Sequence, residues 1–450
     1  MKIIIVGVGK IGRIITEYLS HEGHDIVVID IDPLIVQQAV DTFDVRGVIG
    51  NGANYDIQIQ AEADKTDVMI AATESDELNI LCCLVGKKNG IKHTIARVRN
   101  PEYAKQIGFM YSDLGLNMIV NPEYEAASEI LQILKFPSAI RIDTFAQGKA
   151  EIVEIKVPAN SMLVGKTLSA INQELAVRFL VCAVVRAGEV YIPSGNFILM
   201  ENDNIHITAA KPEIGKFFRK LKILRQRAKK IMIIGGSRIT YYLARQLSES
   251  RVDVKIIEMD QVRAHELGEQ FPDAVVINGD GTNQELLLEE GIQAVDALVT
   301  LTGNDEENII ASLYAKTINV PKVITKVNRI SYYNILEKLD LGTIISPKAI
   351  TANQILRYVR SLSNSITSQV KTLYKLVNNQ VEAAEFYISQ ETNYTGIKFR
   401  NLALRNNILI ACIIRDKAVI IPHGDDFLQV GDSAIIVTTQ KLKDLEDILK

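Results

Sequence analysis

The sequence predicts an α/β protein in which two doubly wound Rossmann-like domains are each followed by a small α+β module. Three observations predict it. Unbroken apolar strands run into glycine-bearing turns that open helices. The chain matches itself at an offset of 228 to 229 residues. A second motif, IPSG and then IPHG, recurs at the same spacing.

The first domain reads in order. KIIIVG is a continuous apolar strand, as expected in a parallel sheet covered on both faces. Lys10 to His21 has helical spacing, DIVVID is a second strand, and Pro33 to Phe43 a second helix. VRGVIG, DVMIAA, HTIARV and NMIV supply four more strands with helices between them. Six strands with intervening helices make a doubly wound sheet. The module from about Ser138 to Arg219 differs: AEIVEIKV, FLVCAVVRAG and NIHITAA surround the turn-rich IPSGN, an α+β pattern.

The repeat pairs Gly7 with Gly235 and Asp30 with Glu258 at 228 residues. At 229 it pairs Gly52 with Gly281, Asp67 with Asp296, Thr73 with Thr302, Asp76 with Asp305, Asn79 with Asn308 and Arg97 with Lys326. In the modules, Arg186 to Gly195 faces Arg415 to Gly424, and Asp203 faces Asp432. The domains expected are 1–137 and 230–367 for the Rossmann-like units, 138–220 and 368–450 for the modules, and 221–229 for a basic linker. That linker belongs to the cation-rich stretch KFFRKLKILRQRAKK. Two readings of the stretch are open: a solvated helical connection, or a contact with a membrane partner or lipid headgroups.

Composition narrows the class. The chain has 450 residues, 47% hydrophobic and 23% charged, with net charge −4. Nothing in that balance calls for nucleic acid. The N-terminus starts a strand at once, without a signal-peptide pattern. The longest apolar runs, such as Phe179 to Val185, fall far short of the roughly 18 residues a membrane span needs. Cys82, Cys83, Cys182 and Cys412 form no CxxC pair and read as buried, reduced thiols. The six histidines are scattered without metal or triad spacing, so no catalytic residue and no metal ligand is assigned.

The chemistry lies at the glycine turns. In GVGKIGR, Gly7 allows a sharp turn after the strand, Gly9 lets the backbone approach a pyrophosphate, and Gly12 lets the helix pack closely on the sheet. The helix then aims its free N–H groups and positive dipole end at the phosphates. Asp30 closes the second strand, where a carboxylate accepts hydrogen bonds from both ribose hydroxyls. It would repel a 2′-phosphate, which disfavours NADP but leaves NAD(H), ATP and ADP open. Strand ends add Asn51, Gly52 and Ala53 near the adenine, Thr73 and Glu74 beside the phosphates, and Lys10 and Arg97 as countercharges. For Lys10, Thr73 and Arg97, ordinary surface or sheet-end roles are the other reading. Glu123 either faces the crevice or favours a helix N-terminus.

The second turn, GGSRITY, keeps Gly235 but has Ser237 and Thr240 where the other glycines would be. Either Cβ is expected to crowd the pyrophosphate or the helix packing. Glu258 still offers a ribose acceptor, Arg238 replaces Lys10, Lys326 replaces Arg97, and Lys348 stands in place of Glu123. The candidate nucleotide set is therefore Gly7, Val8, Gly9, Lys10, Ile11, Gly12, Asp30, Gly52, Ala53, Thr73, Glu74 and Arg97. Its weaker counterpart is Gly235, Gly236, Ser237, Arg238, Ile239, Glu258, Asp280, Thr302 and Lys326.

MKIIIVGVGKIG, IARVRNPEY, the NPE at Asn121, and IPSG/IPHG followed by Asp203/Asp432 resemble the RCK (regulator of potassium conductance, or KTN) family. The resemblance spans the chain as two fused RCK units, each a Rossmann-like domain with an RCK C-terminal domain. It implies a non-enzymatic regulatory subunit that binds NAD/NADH, with ATP or ADP as competing ligands. It further implies a homo-oligomeric ring, a tetramer of tandem subunits, peripheral on the cytoplasmic face of the inner membrane. There it would gate a TrkH-type potassium channel or transporter for potassium uptake. It also gives Glu123 to Phe136 the role of a helix that crosses to the neighbouring domain. The alternatives are a subunit of another potassium transporter and a soluble NAD-dependent oxidoreductase.

Overall fold

The computed structural model describes residues 1–104, 106–135, 140–145, 150–221, 228–250, 252–329, 336, 339, 341–362, 368–376, 380–416, 418–440, 442 and 444–449. The domain boundaries expected at 137/138 and 367/368, and most of the linker at 221–229, lie outside the described residues.

The first unit runs β1 (Lys2–Val6), α1 (Lys10–His21), β2 (Asp25–Asp30), α2 (Pro33–Thr42), β3 (Arg46–Ile49) and α3 (Tyr55–Gln60). It continues through β4 (Val68–Ala71), α4 (Asp76–Lys88), β5 (His93–Arg97), α5 (Pro101–Ala104), α6 (Ile107–Ser112) and β6 (Met118–Val120). Its sheet has the order β3-β2-β1-β4-β5-β6 and is parallel throughout. This is the doubly wound order, with its switch point between β1 and β4. Local chemistry agrees with the elements. Asp32 caps α2, accepting from Leu34 N at 2.8 Å with Pro33 at the first position, and Ser75 caps α4, accepting from Leu78 N at 3.1 Å. Cys82 and Cys83 on α4 are fully buried, and Cys182 and Cys412 are buried as well.

Helix α7 (Pro122–Lys135) follows, then the first module: β7 (Arg141–Phe145), β8 (Ala150–Lys156), α8 (Leu168–Leu175), β9 (Phe179–Arg186), β10 (Glu189–Tyr191), β11 (Asn204–Ala210) and α9 (Lys211–Lys220). Its antiparallel sheet has the order β10-β9-β11-β8-β7. Part of the cationic stretch belongs here. Lys216, Arg219 and Lys220 lie exposed on α9, whose Phe217 and Phe218 are buried in the module core, so this portion is a helix with a solvated cationic face that packs on the module.

The second unit repeats the plan: β12 (Lys230–Ile234), α10 (Arg238–Ser248), β13 (Asp253–Glu258), α11 (Gln261–Gln270), β14 (Val275–Asn278), α12 (Gln284–Glu289), β15 (Ala297–Thr300), α13 (Asp305–Thr317), β16 (Lys322–Lys326) and β17 (Thr343–Ile345). The sheet order is β14-β13-β12-β15-β16-β17. After α14 (Pro347–Leu362) comes the second module, with β18 (Ser368–Leu376), β19 (Val381–Ile388), β20 (Ile408–Arg415), β21 (Ala418–Ile420) and β22 (Ser433–Thr438) in the order β18-β19-β22-β20-β21. Strand for strand, this is the topology of the first module. The repeated aspartates explain themselves. Arg186 grips Asp203 through Nε and Nη2, both at 2.8 Å, and Arg415 grips Asp432 in the same way at 2.9 Å. Such bidentate pairs fix a β-turn region by geometry as much as by energy.

The helices after the sixth strands exchange places. Ala126, Ile130, Ile133 and Leu134 of α7 pack on Ile239, Tyr242 and Leu243 of α10 in the other half. Reciprocally, Ala352, Ile355, Leu356 and Val359 of α14 pack on Ile14 and Ile15 of α1. The expected crossing helix is thus observed over its described length, and in both directions. The modules also meet face to face, through Ile152, Cys182 and Ala183 against Ala383, Cys412 and Ile435. Two exchanged helices and a shared module core bind the halves into one body by apolar burial.

Candidate functional site

The first turn is built by close backbone approach. Gly7 has φ +85°, and a Cβ there would stand 2.8 Å from Thr73 N. No other residue type fits, because β1 and β4 end side by side at the switch point. A Cβ on Gly12 would meet Gly7 O at 1.9 Å, so α1 sits directly against the turn. Gly9 is different: nothing lies within 4 Å of its Cβ position, and it begins α1 without a side-chain cap. The open space and the uncapped N–H groups of Lys10, Ile11 and Gly12 lie where a phosphate would be received.

Asp30 stands across from this turn. Its Oδ2 accepts from Val8 N at 2.7 Å and its Oδ1 from Asp32 N at 3.1 Å. Each oxygen keeps a further lone pair for a ribose hydroxyl. Gly52 is buried and tight against Val6: a Cβ on it would stand 2.2 Å from Val6 Cγ1, so its role is packing beneath the crevice. Ala53 N is held by Asn51 Oδ1 at 2.9 Å, which shapes the loop after β3.

The ends of β4 and β5 are knit by residues to which the sequence assigned no role. Buried Asn79 accepts from Thr73 N and Thr73 Oγ1, both at 2.7 Å, and donates to Thr73 O and Arg97 O. Arg97 Nη2 donates to the same Thr73 O. Asp76 accepts from Arg99 N and Asn100 N at 2.8 Å. Asn79 and Asp76 repeat as Asn308 and Asp305, with equivalent bonds to Thr302, Lys326, Asn328 and Arg329. Their register in the repeat was the signal that could have marked them. Burial, and then the neighbouring Arg99 charge, pull Arg97 down to about 10, so it remains a cation at neutral pH. Glu74 is exposed at the rim, its carbonyl taken by Arg99.

The second turn resolves the expected crowding differently from the sequence reading. Gly235 has φ +98° and the same close approach, 2.8 Å from Cβ to Thr302 N. Ser237 begins α10 and caps it, accepting from Thr240 N at 3.5 Å. Thr240 is fully buried and donates its hydroxyl to Gly235 O. Its hydroxyl thus satisfies the carbonyl that, in the first half, a Cβ on Gly12 would strike. The second helix N-terminus therefore already spends a donor on its own cap. Arg238 is exposed at the turn and Ile239 is buried behind it. Glu258 accepts from Gly236 N and from Asp260 N. Asp280 makes the loop after β14, accepting from Thr282 N at 2.8 Å and Thr282 Oγ1 at 2.7 Å, and these bonds lower its pKa. Lys326 Nζ reaches Thr302 O at 2.7 Å, the position Arg97 takes in the first half, and burial lowers its pKa.

A cleft of about 480 Å³ is lined by Lys10 of the first turn and by Asn304, Asp305, Glu306, Arg329 and Lys348 of the second half. Burial and the nearby Lys10 lower the pKa of Lys348. Glu123, at the start of α7, lies in the field of Arg99 and Arg97 of its own half and Arg238 of the other. Burial is the largest influence on its carboxyl and raises its pKa, and its Oε2 has no hydrogen-bond partner. Glu123 therefore faces the crevice region as well as opening a helix. Tyr242 of α10 closes the seam, donating to Arg99 O and accepting from Asn121 Nδ2, both at 2.9 Å. Among the described residues, no group of three or more metal-ligating side chains converges, and no helix is long and apolar enough to cross a membrane.

Two doubly wound domains with exchanged helices, each carrying a glycine turn and an acidic acceptor and each followed by an antiparallel module, make a tandem repeat of one two-part unit. The TrkA-N domain model matches residues 3–122 and 231–347, and the TrkA-C domain model matches residues 152–222. The chain is 33% identical over 448 residues, 97% of each chain, to Trk system potassium uptake protein TrkA homolog 1 of Methanosarcina mazei. It is 31% identical to Trk system potassium uptake protein TrkA of Haemophilus influenzae, covering 100% of this chain and 98% of that one. The chain belongs to the TrkA family of Trk system potassium uptake proteins. In fold it is similar to the GsuK RCK domain, with TM-score 0.63, 18% identity and coverage of 97% and 92% of the two chains. The GsuK channel bound to NAD gives the same TM-score and identity, over 97% of this chain and 76% of that one.

Proposed function

We propose that this chain is the nucleotide-sensing regulatory subunit of a TrkH-type potassium transporter. It binds NAD(H), or ATP and ADP in competition, through the residues of the two turns and their strand ends. It works from the cytoplasmic face of the inner membrane as a ring of tandem subunits, four to the ring, without catalysing a reaction. The observation that carries the reading is the cleft between the halves: Lys10 of one turn faces the strand ends of the other half. A ligand at the turn therefore contacts both halves and favours one relative arrangement of them. The exchanged helices α7 and α14 pass that arrangement on as rigid elements.

The energetics are sufficient. A tenfold preference of ligand for one arrangement supplies about 1.4 kcal/mol per site. Four coupled sites then supply about 5.5 kcal/mol, enough to move a two-state gate from mostly closed to mostly open. Potassium transport is supported by the family, and nucleotide binding by the turn, by Asp30 and by the fold shared with an RCK channel described as bound to NAD.

Asp30→Ala tests the reading. It removes the ribose acceptor and also frees Val8 N–H, so calorimetry should show NADH and ATP binding to the first site weakened by about tenfold or more. Cells carrying only this variant should lose nucleotide-dependent potassium uptake at low external potassium. Unchanged affinities would place the ligand elsewhere, and unchanged uptake in cells lacking the subunit altogether would remove the transporter role.

A further inference from the structure

The two sites differ beside their ribose acceptors. In the first, Val8 is buried and gives its N–H to Asp30, and Ile35 packs against the same apolar core. The matching positions in the second half are Gly236 and Arg263. Gly236 leaves space that a side chain would contest: a Cβ would stand 2.7 Å from Leu267 Cδ1 and 2.9 Å from Glu258 Oε2, and both would have to shift. Its bare peptide is gripped from both ends. Glu258 Oε2 accepts from Gly236 N, and Arg263 Nε donates to Gly236 O at 2.8 Å. The Arg263 guanidinium and the Glu258 carboxylate are thus both anchored on the one residue Gly236.

Arg263 is held in that position. Asp260 caps its backbone N at 2.8 Å, and Glu266 accepts from Nη1 at 2.8 Å. Nη2 has no partner among the described residues, and the side chain is 30% exposed. A ribose held by Glu258 would present its 2′ substituent to this free donor. At the first site, the same substituent would meet Asp30, with apolar Ile35 in the place of Arg263. A carboxylate alone rejects a 2′-phosphate, while an arginine nearby accommodates one.

We propose that the second site takes an adenosine ligand phosphorylated on its ribose, of the NADP(H) class, and that Arg263 reads the extra phosphate. The proposal rests on the reading that the second turn binds a nucleotide. It gives the two turns different ligands: the first excludes ribose phosphate and the second accepts it.

The test uses the full chain with Gly9→Asp, which puts a carboxylate into the open phosphate space of the first turn without a steric clash. NAD and NADP, which differ only in the 2′-phosphate, are titrated calorimetrically. NADP should bind at least as tightly as NAD. Adding Arg263→Ala should weaken NADP by roughly tenfold or more and NAD by less than threefold. Adding Glu258→Ala instead should weaken NAD more than NADP, because it removes a ribose acceptor and also a charge that repels the 2′-phosphate; the loss of NAD affinity places the binding at the second turn. NAD binding tenfold tighter than NADP, or equal losses of both ligands in Arg263→Ala, would overturn the proposal and leave nucleotide binding at the second turn intact. Binding of neither ligand by protein that melts like wild type would overturn both.

Discussion

Gly12→Ala is expected to destabilise the first Rossmann-like domain by about 3 kcal/mol or more and to abolish the proposed nucleotide binding there. The added methyl would stand 1.9 Å from Gly7 O, a backbone atom that cannot swing aside. Relief requires α1 to lift off the sheet, which opens the contact of Ile14 and Ile15 with α14 as well. Overpacking of this kind costs about 1–3 kcal/mol where side chains can adjust, and more where only backbone can move. Denaturant unfolding checks the stability and calorimetry the binding. Gly9→Ala is the matched control. Its Cβ meets nothing within 4 Å, so the stability cost should stay near the roughly 1 kcal/mol of a poorer helix N-cap. Equal destabilisation by the two substitutions would refute the packing argument.

Arg360→Ala costs about 3–5 kcal/mol, the scale for stranding buried charges. Arg360 lies on α14 and joins three parts of the molecule. Its Nε donates to Glu22 Oε2 at 2.8 Å at the end of α1, and its Nη1 and Nη2 donate to Glu382 on β19, both at 3.2 Å. The three side chains are only 9–14% exposed. Removing the cation leaves Glu22 and Glu382 without it in a poorly solvated seam. The loss should depend little on salt, because buried pairs are weakly screened. Replacing Arg360, Glu22 and Glu382 together by apolar residues of similar size should recover most of the stability, which separates stranded charge from lost packing. A change below about 1 kcal/mol in Arg360→Ala would show that the clamp is no more than a surface pair.

Much of this molecule is legible in its sequence because duplication prints each structural need twice. Gly7 and Gly235 recur since both sheets demand a left-handed residue where the first and fourth strands of the sheet come together. Asp203 and Asp432 recur because each holds an arginine bidentately. The exchange of α7 and α14 is a different matter. A helix with one apolar face announces that the face is buried, but not which half buries it, and here the family resemblance rather than periodicity pointed to the crossing. Arg360 and Glu22 are 338 residues apart, and no local pattern links them. The second turn shows the limit most clearly. Ser237 and Thr240 read as obstructions when judged against Gly9 and Gly12. In three dimensions one caps a helix and the other satisfies a carbonyl. Loss of a motif's glycines there records a changed turn, and Arg263 beside it points to a changed ligand.

The central claim is that nucleotide binding at these turns sets the state of a potassium pathway. Potassium flux through the proposed TrkH-type partner in proteoliposomes, with this chain added and NAD, NADH, ATP or ADP supplied, tests it most directly. The account predicts that at least one nucleotide changes the flux several-fold with the wild-type chain, and that Gly9→Asp, folded and still bound to the transporter, loses the response to ligands of the first turn. Flux indifferent to every nucleotide, or a response unchanged in Gly9→Asp combined with Glu258→Ala, would contradict it.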